Sequence, residues 1–60
     1  MIFDCYEFYT DESLEDEYRI HEDLTRTPGD IARELAQEYG CIIFVVRNGE
    51  IISEYDCSID

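Results

Sequence analysis

Residues 41–46 read Cys-Ile-Ile-Phe-Val-Val, and Arg47 leads directly into Asn48-Gly49. A run apolar at both odd and even positions has the composition of a strand that needs cover on both faces, as in the interior of a sheet. Asn-Gly is the strongest short hairpin signal, because a type I′ turn requires positive φ at both central positions. Residues 50–57 then return as the partner strand. The chain must therefore build a sheet around residues 41–46, and everything upstream has to supply neighbours and cover for it.

The upstream sequence offers both. Ile2-Phe3-Asp4-Cys5-Tyr6-Glu7-Phe8-Tyr9 reads as an aromatic-rich strand with Ile2, Asp4, Tyr6 and Phe8 on one face and Phe3, Cys5, Glu7 and Tyr9 on the other. Neither face is purely apolar, so one side is expected to meet water. Residues 10–16 are polar and turn-like. Residues 17–22 read as a second strand paired with the first, with Tyr18, Ile20 and Leu24 sharing a face; helical spacing of Leu14, Tyr18, His21 and Leu24 is the competing reading. Residues 27–40 carry the sharpest local signal. Thr27 suits an N-cap, Pro28 suits the first helical position, and Asp30 suits the positive end of the helix dipole. Ile31, Leu35 and Tyr39 share a stripe with Ala32 and Ala36, Arg33, Glu34, Gln37 and Glu38 form the wet side, and Gly40 supplies the left-handed stop. Residues 58–60 are expected to fray. The predicted class is α+β: one domain over residues 1–60, a small antiparallel sheet of about four strands in the order β-β-α-β-β, and one amphipathic helix across one face. The uncovered face must then be shielded by long side chains, by a second copy in a homodimer, or by a partner.

Charge sets the second constraint. Sixteen acids oppose four arginines, with no lysine, for a net charge of −12. A folded chain of 7.1 kDa exposes on the order of 4,000 Å², and small soluble domains usually carry a net charge of about 2–8. Seven of the thirteen residues from 11 to 23 are carboxylates: Asp11, Glu12, Glu15, Asp16, Glu17, Glu22 and Asp23. Only Arg19 opposes them within the run. Like charge at this density disfavours direct binding to nucleic acid or an anionic membrane and favours a basic protein surface. Arg19, Arg26, Arg33 and Arg47 are expected to pin local acids such as Asp30 or Glu54. No stretch approaches the roughly 20 apolar residues of a membrane span. The N-terminus lacks the basic and apolar regions of a secretory signal. The expected compartment is thus the cytoplasm. Cys5, Cys41 and Cys57 are read there as reduced core thiols, with a Cys5–Cys57 bridge as the alternative should the terminal strands pair.

Specific chemistry finds little support. An EF-hand loop needs alternating oxygen ligands around a central glycine, and no glycine lies between Asp11 and Asp23. One histidine and no Cys-x-x-Cys argue against zinc. Paired carboxylates are unavoidable among sixteen acids, and so small a domain has no room for a sugar cleft. A Cys–His21 pairing falls short of a triad signature. Pro28-Gly29 starts a helix and is not a phosphate loop. The expectation is a protein that is not an enzyme and needs no metal or cofactor.

In length, charge, predicted α+β fold and the acidic run 11–23, the chain resembles the small acidic DNA mimics encoded by phages, the anti-CRISPR and antirestriction proteins. The resemblance implies inhibition by occupancy. Asp11, Glu12, Glu15, Asp16, Glu17, Glu22 and Asp23 would fill the basic DNA-binding groove of a bacterial defence complex in the host cytoplasm and exclude its target DNA. Among CRISPR systems it favours the multi-subunit DNA-recognition complex of type I. An antitoxin-like or regulatory protein acting on another basic partner is the alternative. A self-associating protein whose acids only keep it soluble is a third reading.

Overall fold

A computed structural model describes residues 4–57. Its elements are β1 (Asp4–Tyr9), a 3-10 turn (Asp16–Tyr18), β2 (Arg19–Thr25), α1 (Pro28–Tyr39), β3 (Ile43–Arg47) and β4 (Glu50–Tyr55). The strands form one antiparallel sheet in the order β2-β1-β3-β4, and α1 packs on β3 and β4. This is the α+β class and the β-β-α-β-β succession expected from the sequence. The apolar strand β3 lies in the sheet interior, as its composition requires. The predicted strand positions Ile2 and Phe3, and the predicted frayed end at Ser58-Ile59-Asp60, fall outside the described residues.

Pairing fixes which side chains share a face, because directly opposed residues project to the same side. Phe8 lies opposite both His21 and Val45, Val45 opposite Ser53, and Ile43 opposite Tyr55. This is the face that α1 covers. Tyr6, Phe8, Ile43, Val45, Ala32 and Ala36 form its buried cluster, flanked by half-buried Ile20, Ile31, Leu35 and Tyr55. The helix meets the sheet through alanines, so its backbone can come close. At its first turn a Cβ on Gly29 would stand 2.6 Å from the Tyr55 hydroxyl oxygen, so a glycine suits that approach. The opposite face carries Cys5, Glu7, Tyr9, Arg19, Glu22, Leu24, Phe44, Val46, Ile51 and Glu54. No described element covers it. Tyr9 and Val46 are nevertheless only 5% and 1% exposed, while the apolar rim at Leu24 and Ile51 stays open.

The turns follow their residues. Asn48 and Gly49 both take positive φ, 55° and 80°, as the hairpin requires. Gly40 ends α1 at φ 69°, ψ 33°, and its N–H donates to the Ala36 carbonyl at 2.8 Å. Thr27 corrects one expectation. Its side chain makes no cap hydrogen bond; its own N–H donates to Thr25 Oγ1 at 2.9 Å, and the two hydroxyls lie 3.4 Å apart. Its backbone carbonyl still accepts from the Asp30 and Ile31 N–H groups, at 3.2 and 3.5 Å, so Thr27 holds the cap position through its main chain.

Further corrections come from the second strand. It begins at Arg19, after a 3-10 turn, and continues to Thr25, beyond the expected end at residue 22. A register shift next to the Phe8–His21 pair leaves Ile20 as the extra residue. That bulge breaks the alternation which put Tyr18, Ile20 and Leu24 on one face: Ile20 packs against the core, and Leu24 is 63% exposed on the other side. Tyr39, expected in the helix stripe, is also exposed, because Ala32 and Ala36 centre the contact. Asp4 and Glu7 pair with Arg47 and Arg19, at 3.5 and 3.9 Å, where Asp30 or Glu54 were expected to meet arginine. Cys5 and Cys57 do not bridge. The strands they belong to or follow, β1 and β4, are separated by β3, and Cys5 sits on the uncovered face while Cys57 packs against the helix-side cluster.

These placements predict contrasting substitutions. Phe8→Ala should cost about 3–5 kcal/mol, most of the roughly 3–9 kcal/mol expected of a chain this long. Leu24→Ala should stay within about 0.5 kcal/mol. Urea denaturation of the two variants measures both; equal losses would place Leu24 in the core.

Candidate interaction surface

Five of the seven candidate acids, Asp11, Glu12, Glu15, Asp16 and Glu17, stand together on the connection from β1 to β2, and that connection is built by local hydrogen bonds. Thr10 N–H donates to the Tyr18 carbonyl at 3.0 Å and closes the loop at its base. Ser13 N–H donates to Asp11 Oδ2 at 3.0 Å, and Leu14 N–H to the Asp11 carbonyl at 3.3 Å. Tyr18 N–H donates to the Glu15 carbonyl at 2.9 Å, forming the 3-10 turn that carries Asp16 and Glu17. Between these turns Leu14 takes φ 58°. A branched side chain in the left-handed region costs about 1–3 kcal/mol and persists only where its surroundings hold it. Leu14 is half-buried, while Glu12, Glu15, Asp16 and Glu17 are exposed.

Glu22 and Asp23 are not part of that group. Adjacent strand residues face opposite ways: Glu22 lies on the uncovered face opposite Glu7, and Asp23 on the helix side opposite Tyr6. Asp23 Oδ2 is 3.8 Å from His21 Nε2, and the His21 ring stands 5.5 Å from that of Phe8. The sequence run of acids is therefore two surfaces in space: a loop cluster, and an edge strand with one acid on each face.

The register also brings residues to the loop that the run does not contain. Tyr9 pairs with Phe44 and Phe44 with Glu54, so the loop, the α1–β3 turn and the end of β4 share one end of the sheet. Asp56 follows β4 there, and exposed Ile42 and Tyr39 border the α1–β3 turn. The last turn of α1 has no basic residue, so the negative end of its dipole adds to the same potential. Arg47 and the Asn48-Gly49 hairpin lie at the other end, with Asp4. Strand order makes this charge asymmetry, and no local sequence signal encodes strand order.

Arg19 is a cation at the loop base, and it is engaged. Its guanidinium is 3.9 Å from Glu7 Oε2, and the Tyr9 hydroxyl donates to Glu7 Oε1 at 3.0 Å. Burial, and then the Glu7 hydrogen bond, push the Tyr9 phenol up, with Arg19 opposing in part. Tyr9 thus favours folding below its ordinary pKa, and that contribution is lost as pH rises through the raised value.

The Cys5 thiol is not activated. The Cys5 thiol donates to Glu22 Oε2 at 3.6 Å; desolvation, then that bond, then the charges of Glu22, Glu7 and Asp23 push it up, disfavouring thiolate. Cys5 and His21 occupy opposite faces of the sheet and do not pair. Among the described residues, no group of three or more His, Cys, Asp or Glu is placed to hold a metal ion, and no helix is long and apolar enough to cross a membrane.

The loop makes a titration prediction. The Ser13 hydroxyl first, and the Ser13 amide second, hold Asp11 below its ordinary value of 3.8. A carboxylate depressed in this way stabilises the fold above its unfolded pKa, and the contribution is lost as pH falls through the folded value. Ser13→Ala should move the Asp11 titration part-way back up, followed by carboxyl NMR, and should shrink the stability difference between neutral and acidic pH. An unchanged Asp11 titration would mean the amide alone sets it. No family model matches the chain, nor does any curated protein or solved structure.

Proposed function

We propose that this protein is an acidic inhibitor that seats its β1–β2 loop in a basic nucleic-acid-binding groove of a bacterial defence complex and excludes the target DNA, with type I CRISPR surveillance complexes as the favoured class. One observation carries the reading: five carboxylates without an intervening cation, held in place by a loop whose turns are hydrogen-bonded and whose Leu14 is strained. Duplex DNA presents one charge per about 1.7 Å of axis. Carboxylates fixed before binding compete for the same arginines and lysines with little ordering cost. The net charge of −12 steers the approach to a basic surface and keeps the protein off DNA itself.

A second reading has its own support. Tyr18, Tyr39 and Ile42 are exposed near the acids, and apolar surface of that kind suits a protein partner with a mixed interface. An antitoxin-like or regulatory protein binding a basic partner outside any DNA groove would use the same end of the sheet.

Target-DNA binding by a type I recognition complex, measured with increasing amounts of the protein at two salt concentrations, separates them. Inhibition should be strong at the lower salt and weaker at the higher. Intact DNA binding by a complex that has taken up the protein overturns the first reading in favour of the second. Reversing Glu15 and Asp16 to Lys should weaken inhibition at least about tenfold, equivalent to about 1.4 kcal/mol, while reversing Glu34 and Glu38 on the wet side of α1 should change it little. Equal losses would assign the effect to bulk charge.

A further inference from the structure

β2 carries features that its place in a hairpin does not require. It is an edge strand, paired with β1 alone among the described strands, and at seven residues it is the longest strand of the sheet. Proteins usually blunt an edge by shortening it or by placing lysine or proline on it, because its outer N–H and C=O groups can template another strand. β2 has neither residue, and from His21 to Thr25 its register against β1 is continuous. On the uncovered face Glu22 stands directly opposite Glu7, an unfavourable pairing of like charges. Glu7 is answered by Arg19 and Tyr9, whereas Glu22 meets the neutral Cys5 thiol. Two residues further along the same face is Leu24, the most exposed large apolar side chain among the described residues. A strand that only protected its edge with charge would have no use for that leucine.

These features select an occupant. A second copy is a poor one: pairing β2 with itself would bring Glu22 and Asp23 close to their copies and join two molecules of net charge −12. The complementary chemistry is an extended segment with arginine or lysine beside Glu22 and Asp23 and an apolar side chain beside Leu24. We propose that β2 is an augmentation edge that accepts from a partner protein an extended strand with two adjacent cations followed by an apolar residue. Main-chain pairing supplies affinity, Glu22 and Asp23 select the cations, and Leu24 packs the apolar side chain. This inference is independent of the DNA-groove reading, since it needs an extended protein segment and makes no use of the loop acids.

The test uses a capped seven-residue peptide centred on Leu-Arg-Arg-Leu, so that adjacent arginines can meet Glu22 and Asp23 while a leucine meets Leu24 in either strand direction. It is titrated into the full chain and followed by backbone amide NMR and hydrogen exchange. Amides of β2 should shift and gain protection. Binding should fall at least tenfold in Glu22→Lys and severalfold in Leu24→Ser, with both variants retaining the wild-type circular dichroism. It should be unchanged in Glu50→Lys on the opposite edge. A control peptide of equal charge, with proline replacing each leucine, should bind far more weakly because it lacks those ladder donors. Equal binding of the proline peptide, or shifts centred on residues 11–17, would mean charge attraction alone and would overturn the proposal. Protection of β4 in place of β2 would overturn it as well. Because Glu22→Lys leaves Glu15 and Asp16 intact, DNA exclusion measured on the same variant shows whether the two surfaces fail together or apart.

Discussion

Close contact between α1 and the sheet is the interaction on which the rest depends. Ala32 and Ala36 carry the fully buried face of the helix in one cluster with Phe8, Ile43 and Val45, and half-buried Ile31 and Leu35 pack at its flanks. A thin core of this kind is the economical solution for sixty residues, which bury only about 60% of their unfolded surface at best. It also works against a handicap. The described surface of 4152 Å² belongs to a chain with net charge −12, and self-repulsion disfavours every compact state. The fold limits that cost by placing acids at the loop end, the edge strand and the outer helix face. No charged or polar residue is buried among those described. What the core gains per residue must therefore be high, and the fully buried Phe8, Ile43, Val45 and Val46 are the residues that supply it.

Signals confined to a few neighbouring residues were readable in advance. Asn48-Gly49 and Gly40 adopt the positive φ that their chemistry permits, Pro28 opens the helix, and residues 41–46 lead into an interior strand. The reading failed where distant residues decide. Ile20 becomes the extra residue because β1 and β2 shift register beside Phe8, and one inserted residue flips Leu24 to the other face. Thr27 has an N-cap side chain, but its hydroxyl lies beside that of Thr25 at the end of β2, and its N–H donates to Thr25 Oγ1. Tyr39 shares the helical stripe by spacing, yet the stripe is centred on the alanines by the closeness of the sheet. The acidic surface divides along the same line. Its loop portion was legible as a contiguous run, while the separation of Glu22 from Asp23 follows from pleat and register. The arrival of Asp56, Ile42 and Tyr39 follows from β1 lying beside β3.

Order in the loop changes what its charge can do. An acidic tail gains Coulomb energy on meeting a basic surface and loses conformational freedom at the same moment. Here Thr10, Ser13, Leu14 and Tyr18 have donated their amides before any partner arrives. Crowding of Asp11, Glu12, Glu15, Asp16 and Glu17 is then an internal cost of the free protein, together with the strain at Leu14. Both persist because the loop is clamped at its base, where Thr10 meets Tyr18 and Arg19 meets Glu7. A cation brought by a partner relieves the crowding without having to order the chain. The internal cost of the free state thereby becomes a difference in favour of the bound one.

The same reasoning separates the two acidic surfaces by the kind of partner each can tolerate. Loop carboxylates standing out from turns engage cations from several directions, and they need no defined backbone across from them. Glu22 and Asp23 belong to a pleat, which sends one to each side of the sheet and leaves a row of main-chain groups between them. A partner that satisfies both must run alongside β2 as a strand, and a DNA-binding groove has no reason to supply one. Leu24 sharpens the distinction, because a 63% exposed leucine gains from an apolar neighbour and nothing from a phosphate-binding arginine. If both surfaces meet basic proteins, as proposed, charge supplies the approach and backbone geometry decides which part of such a protein each one meets.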